Sequence, residues 1–290
     1  MLTICLHNSK NYKYLKKQYK MKKYISLFLI SLLFSCSESE NSTNVTKETS
    51  SVEETSSVES TGRRTTPQIP PLVIMYHQIV ASPVHVDDVS TVNFTQQMEW
   101  LKVNGYKTIT TEDLFNDAVL PSGSVLLTFD DGYIGNFTNA KPVLERLNMK
   151  ADFFVHTDYV GTTSTATWDK MSWNQLRTLD SSPLFAVYSH TKSHPHLPLI
   201  SATQLQDELV QSRVKLQTEL GITTKRDFLA YPFGDYNAAV ITAAQNAGYT
   251  MAFAVANKGA FGKPAHYSIT RKGVGKDVTT ITEFKTRIGR

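Results

Sequence analysis

From Leu72 to Val255, short strand-like runs alternate with stretches of helical periodicity, and that alternation restricts the fold more than any other feature. The runs are Leu72–Tyr76, Tyr106–Ile109, Ser124–Phe129, Ala151–Val155, Phe185–Tyr188, Phe228–Tyr231 and Tyr249–Val255. At four to seven residues each they are too short for helices and match strand lengths. Helices are predicted between them, over Phe94–Val103, Glu112–Ala118, Ile134–Leu147, Trp173–Leu179, Ala202–Leu220 and Ala238–Ala247. Gly105, Gly221 and Gly248 supply stops, and Thr110 or Thr111 caps the second helix. Such alternation implies right-handed βαβ units and a parallel sheet. Six or more units in about 220 residues suit a closed barrel better than an open sheet. Chemistry in such barrels gathers at the C-terminal ends of the strands.

Four of those ends carry polar residues. Leu127-Thr128-Phe129 runs directly into Asp130-Asp131-Gly132. Neighbouring strand residues face opposite ways, so a bend at Gly132 is needed to bring both carboxylates to the rim. Tyr188-Ser189 leads into His190-Thr191-Lys192-Ser193-His194, whose two histidines converge on one ion if the segment makes a helical turn. Ala230-Tyr231-Pro232-Phe233-Gly234 ends a strand in a rigid turn, and Met75-Tyr76 ends in His77. His85, His156, His196 and His266 are expected at the surface or in packing, with His196 the nearest of them to substrate. Tyr133, Trp168 and Trp173 suit a core and a groove equally.

The segment ahead of the barrel reads differently. Residues 1–36 hold seven lysines and no acid, which leaves 23 basic and 26 acidic groups in residues 37–290. No basic footprint for nucleic acid survives that division. Lys22-Lys23 and the ten-residue apolar run Ile25–Phe34 read as a secretory signal, with Met21 a plausible start. Leu33-Phe34-Ser35-Cys36 resembles a lipobox, which implies lipidation of Cys36 and a place on the extracytoplasmic face of a bacterial membrane. Residues 37–70 are expected to be a disordered tether, since 15 of the thirty residues 37–66 are Ser or Thr. Cys5 and Cys36 are the only cysteines. Residues 71–290 therefore contain neither a disulfide framework nor a thiol nucleophile.

Together the strand-end motifs resemble the polysaccharide deacetylase family, the NodB-homology carbohydrate esterases of family 4. Thr128-Phe129-Asp130-Asp131-Gly132 matches its first motif, His190-Thr191-Lys192-Ser193-His194 its second, and Tyr231-Pro232-Phe233-Gly234 the end of its third. Met171–Arg177 reads like the helix before the second motif. The resemblance implies a single catalytic domain, a distorted (β/α) barrel, that binds one divalent metal, usually zinc, and hydrolyses N-acetyl groups on sugars. It implies Asp131, His190 and His194 as metal ligands, Asp130 as general base and the backbone N–H of Tyr231 as oxyanion donor. Met75-Tyr76-His77 resembles the poly-β-1,6-N-acetylglucosamine deacetylase subgroup, which makes His77 the acid for the leaving amine. Many members carry an Arg at the position of Ala230 to orient the aspartate; here Arg271 or a nearby lysine is expected to serve.

The implied substrate is a cell-surface N-acetylglucosamine polysaccharide, with peptidoglycan or chitin oligomers as alternatives, and the implied state is a monomer. A glycan-binding lipoprotein without turnover would need a lost ligand or base, yet all four residues are present. An iron oxygenase shares the 2-His-1-carboxylate set but belongs to double-sheet β folds.

Overall fold

All five residues of Leu72–Tyr76 are buried, as a strand must be when side chains fill one face and helices cover the other. The computed structural model describes residues 71–116, 120–163, 168–221, 227–255 and 265–290. The expected signal, Cys36 and the tether lie outside them. The strands are β1 (Leu72–Tyr76), β2 (Gln78–Val80), β3 (Asp88–Ser90), β4 (Lys107–Ile109), β5 (Ser124–Phe129), β6 (Ala151–Val155), β7 (Phe185–Ser189), β8 (Phe228–Ala230), β9 (Met251–Val255) and β10 (Ile269–Gly273). The helices are α1 (Thr91–Val103), α2 (Thr111–Phe115), α3 (Lys141–Leu147), α4 (Trp173–Asp180), α5 (Ala202–Leu220), α6 (Ala238–Asn246) and α7 (Ile281–Ile288).

Strands β1, β5, β6, β7, β8, β9 and β10 hydrogen-bond in that circular order, all parallel, and β10 closes back on β1. This ring is the distorted (β/α) barrel that the alternation predicts. β4 pairs with the first half of β5, below the point where β6 takes over at Thr128. β2 and β3 form a separate parallel pair.

Alternation along each strand sorts side chains into two layers. Val73, Leu126, Phe154, Tyr188, Phe228 and Phe253 share the apolar cluster inside the ring. Their neighbours Ile74, Leu127, Phe153 and Val187 join the cluster that includes Phe94, Met98 and Leu101 of α1. Continuing the inward row past each strand's C-terminal end places His77, Asp130, His156 and His190 at one mouth of the barrel, with Arg271 on the inward row of β10. The row has a polar member at the opposite end too. Asp152 is fully buried, accepts from Thr111 N at 2.6 Å, and is pushed up to about 7 by burial.

Several parts of the fold differ from expectation, the unpredicted pair β2 and β3 among them. The predicted helix Ile134–Leu147 begins with a π-helical turn over Asn136–Ala140, and α3 follows with Pro142 in its first turn. Gly135 lies against the Ile79 carbonyl, where a Cβ would sit 2.2 Å from the oxygen. The strand β10 lacks a clean apolar run and α7 lies beyond the periodic region. The Thr280–Glu283 capping box was the signal for α7.

Candidate active site

The first carboxylate is positioned by strand parity. Asp130 follows β5 directly, its N–H donating to Tyr76 O at 2.9 Å, so its side chain falls inward like Leu126 and Thr128. There it is 2 % exposed and meets Arg271, which is 1 % exposed. Arg271 Nη1 donates to Asp130 Oδ1 at 2.7 Å and Nη2 to Oδ2 at 2.6 Å. Nη1 also reaches Thr128 Oγ1 at 3.2 Å, and Nε donates to Ala254 O at 3.3 Å. Such a fork fixes both the position and the plane of the carboxylate. Burial alone would raise the Asp130 pKa; Arg271 first, then His190 and His77, more than reverse it and leave it lowered. Of the two candidates for the role of the family arginine, Arg271 is the residue in place.

The second carboxylate requires the chain to leave the strand. Asp131 takes φ 69° and Gly132 φ 66°, so the bend begins at the aspartate itself, one residue before the expected glycine. A Cβ on Gly132 would stand 3.0 Å from Val155 Cγ1, so glycine meets both the backbone and the space requirement. The turn sends Asp131 Oδ1 to within 3.5 Å of His190 Nε2, 3.5 Å of His194 Nε2 and 3.7 Å of His156 Nε2.

His190 comes from the inward row of β7. Its Nδ1 lies 2.8 Å from Ala230 O, and because a carbonyl only accepts, Nδ1 carries the proton and Nε2 presents its lone pair. His194 is not reached by the expected helical turn. Thr191 at φ 69° and His194 at φ 64° reverse the chain instead. Glu208 of α5 accepts from Lys192 N at 3.0 Å, from Ser193 N at 2.8 Å and from the Ser193 hydroxyl. Thr191 Oγ1 accepts from His194 N at 3.2 Å. Buried hydroxyls hold the strained peptide between the histidines: Ser212 Oγ donates to Thr191 O at 3.0 Å and Thr191 N to Ser189 Oγ at 3.1 Å.

Asp131, His190 and His194 each offer a ligand atom within 4.8 Å of the others. Asp131 Oδ1 is buried and accepts no hydrogen bond. A desolvated anionic oxygen surrounded by imidazole nitrogens fits a divalent cation, and His190 already has the tautomer of a ligand. His156 borders this group without joining it.

Two sequence expectations need correction. His156 does pack, edge-on against Tyr159 at 4.8 Å, but its role is not packing alone: it is 6 % exposed, lines the cleft, and its pKa falls to about 3 through burial. The signal was available, since His156 stands two residues beyond inward-facing Phe154. The Tyr231 N–H is not available to an oxyanion, because it donates to Phe253 O at 3.0 Å in the barrel ladder. An amide has one proton to give.

His77 lines the same cleft, half-buried, and its charge is the largest of those that oppose burial and hold the Asp131 pKa down. The cleft measures about 720 Å³ and takes in Tyr133 and Trp168, while Trp173 packs against the core. Phe233, at φ 58°, stacks on His196 at 3.8 Å and meets the edge of His194 at 4.6 Å. His196 Nδ1 lies 2.7 Å from Asp235 Oδ2. His85 packs on Trp168 and His266 on Phe115, as expected of packing residues.

Lys170 also enters the cleft and was not singled out by the sequence. It pairs with Tyr133 across a short antiparallel bridge flanked by Met171 N→Gly132 O at 2.9 Å and Ile134 N→Asp169 O at 2.8 Å. Its Nζ stands 3.3 Å from the centre of the Tyr133 ring, whose hydroxyl pKa is pushed up by burial and by the negative charge of Asp131. Burial lowers the ammonium to about 8, with Asp131 opposing.

Comparison with known proteins agrees with this geometry. The polysaccharide deacetylase family model matches residues 117–252. YxkH of Bacillus subtilis strain 168, a candidate polysaccharide deacetylase, is 31% identical over 183 residues, and this chain spans 62% of its length, with 62% of this chain covered. A poly-β-1,6-N-acetyl-D-glucosamine N-deacetylase of Staphylococcus epidermidis is 27% identical over 202 residues, 66% of this chain and 70% of its own. A crystal structure of a polysaccharide deacetylase from Bacillus cereus superposes with a TM-score of 0.64 at 30% identity, over 75% of this chain and 68% of that one.

Proposed function

Because the chain belongs to the polysaccharide deacetylase family, we propose that it removes N-acetyl groups from a surface N-acetylglucosamine polysaccharide and releases acetate. The observation that carries this reading is the pairing of an unsatisfied carboxylate oxygen, Asp131 Oδ1, among imidazoles with a second carboxylate, Asp130, gripped by Arg271. Asp131, His190 and His194 would hold the cation, and zinc best suits one oxygen and two nitrogens with positions left open. When bound, such an ion polarises an acyl oxygen and makes water acidic enough to ionise near neutrality.

The protein's own groups divide the remaining work. Asp130 stays ionised at neutral pH, because its carboxyl is held low by Arg271. It therefore accepts the proton of the attacking water. Arg271 prevents the carboxylate from rotating toward the ligand group. An amine leaves only when protonated, and His77, on the inward row of β1, is the donor on this reading. The cleft is open enough to admit a polymer, with Trp168 and Phe233 partly exposed at its edge.

The likeness to the S. epidermidis enzyme and the place of His77 favour a β-1,6 linkage. Acetate release from β-1,6- and β-1,4-linked N-acetylglucosamine oligomers, with and without chelator, tests both parts. Release that is abolished by chelator and fastest on β-1,6 oligomers is expected. Equal rates would remove the linkage, and no release would remove the reaction. The leader supports a lipid anchor at Cys36 that holds the barrel on the extracytoplasmic side of a bacterial membrane. Mass spectrometry of the mature N-terminus should find a lipidated Cys36; a free thiol there would rule the anchor out.

A further inference from the structure

Glu208 stands where helical periodicity calls for an apolar side chain. The buried positions of α5 are Leu205, Glu208, Leu209, Ser212 and Leu216, spaced as one stripe along the helix. The two polar members of that stripe, Glu208 and Ser212, both meet the segment that carries the candidate ligands His190 and His194. Glu208 is 8 % exposed. A carboxylate withdrawn this far from water needs compensating donors. It has Lys192 N at 3.0 Å, Ser193 N at 2.8 Å and the Ser193 hydroxyl. Ser212 holds the residue before them, its hydroxyl donating to Thr191 O at 3.0 Å.

The loop that receives these bonds needs them. Thr191 at φ 69° and His194 at φ 64° occupy left-handed backbone, which residues with a side chain rarely adopt. Such a conformation persists only where the surroundings over-determine it. Between the two, Lys192 and Ser193 offer successive N–H groups, and a single oxygen of Glu208, Oε2, accepts from both. The bend held in this way leaves His194 Nε2 3.5 Å from Asp131 Oδ1. We propose that Glu208 is a positioning residue for the metal centre: it fixes the 191–194 bend, and with it His194, before an ion binds. The part of the centre that comes from this loop is thus preformed, and ion binding has nothing there to order. This inference rests on the metal-binding part of the deacetylase reading.

Zinc affinity, read by competition with a chelator, and hydrogen exchange of the Lys192 and Ser193 amides test it in the full chain. Glu208→Met keeps the bulk of the side chain and removes both acceptors. It should bind zinc about 10–100-fold more weakly, the usual loss when a group that orients a ligand is removed. Glu208→Gln can keep every bond, its carbonyl oxygen facing the two amides and its NH₂ donating to Ser193 Oγ. Its zinc affinity should therefore stay near that of the wild type. In the zinc-free wild-type chain both amides should exchange slowly, and in Glu208→Met quickly. Asp207→Asn removes only the exposed ion pair to Lys192 Nζ and should change neither readout. Wild-type zinc affinity in Glu208→Met would overturn the proposal. So would wild-type amides protected only after zinc is added, because the ion would then order the bend; that measurement decides even if Glu208→Met does not fold. Zinc binding without acetate release would overturn the deacetylase reading alone, and no zinc binding by the wild type would overturn both.

Discussion

Asp131→Ala should leave the protein without bound metal and without acetate release, whereas Asp130→Asn should keep the metal and lose turnover. The two carboxylates are adjacent in sequence yet their surroundings separate them. Asp131 Oδ1 has three imidazole nitrogens within 3.7 Å and no hydrogen-bond donor, so its removal would take away the one anionic donor of the candidate metal site. Two neutral imidazoles hold zinc far more weakly than a set completed by a carboxylate. Asp130 instead spends both oxygens on Arg271, and its amide isostere retains shape while losing basicity. General-base removal costs about 10²–10⁴ in rate. Metal analysis beside acetate release distinguishes the two variants. Stoichiometric zinc in Asp131→Ala, or full turnover in either protein, would contradict these assignments.

Arg271→Met should destabilise the barrel by about 3–5 kcal/mol, because it strands a buried carboxylate without its counter-charge. The guanidinium is fully buried, joins β10 to β5 and also donates to Ala254 O next to it on β9, so its loss removes ties between three strands. The same change acts on chemistry. Without Arg271, burial is offset only by His190 and His77 and the Asp130 pKa rises. Asp130 must be ionised to take a proton, so the acidic limb of the rate–pH profile should move to higher pH. Denaturant melts and a pH–rate profile read the two effects separately. A melt unchanged from wild type would show that the pair contributes no stability, and an unmoved acidic limb would show that Asp130 is not the titrating base.

Much of this site could be anticipated along the chain, and the exceptions share a cause. His77, Asp130 and His190 each follow an apolar strand, so local pattern placed them at strand ends, and the His-x-x-x-His spacing marked His194. His156 obeys the same alternation but lacks a companion motif, and its meaning emerges only once β6 is known to stand between β5 and β7. Lys170 is harder still, because its place depends on a bridge to Tyr133 formed after the chain has turned at Asp131. The Tyr231 amide illustrates the reverse error: a motif marks a residue, while the ladder decides whether its proton is free.

Periodicity over a few residues was enough to establish strands, helices and the closed parallel architecture, because burial of alternate side chains is a local demand on the chain. Partnerships between strands far apart needed ring closure: 141 positions separate Asp130 from Arg271, and the family's usual arginine position is occupied by Ala230. Composition and spacing carry no record of which distant side chain fills a buried charge's vacancy. That is settled by register, by left-handed backbone at Asp131, Thr191 and His194, and by the need to neutralise every charge taken out of water.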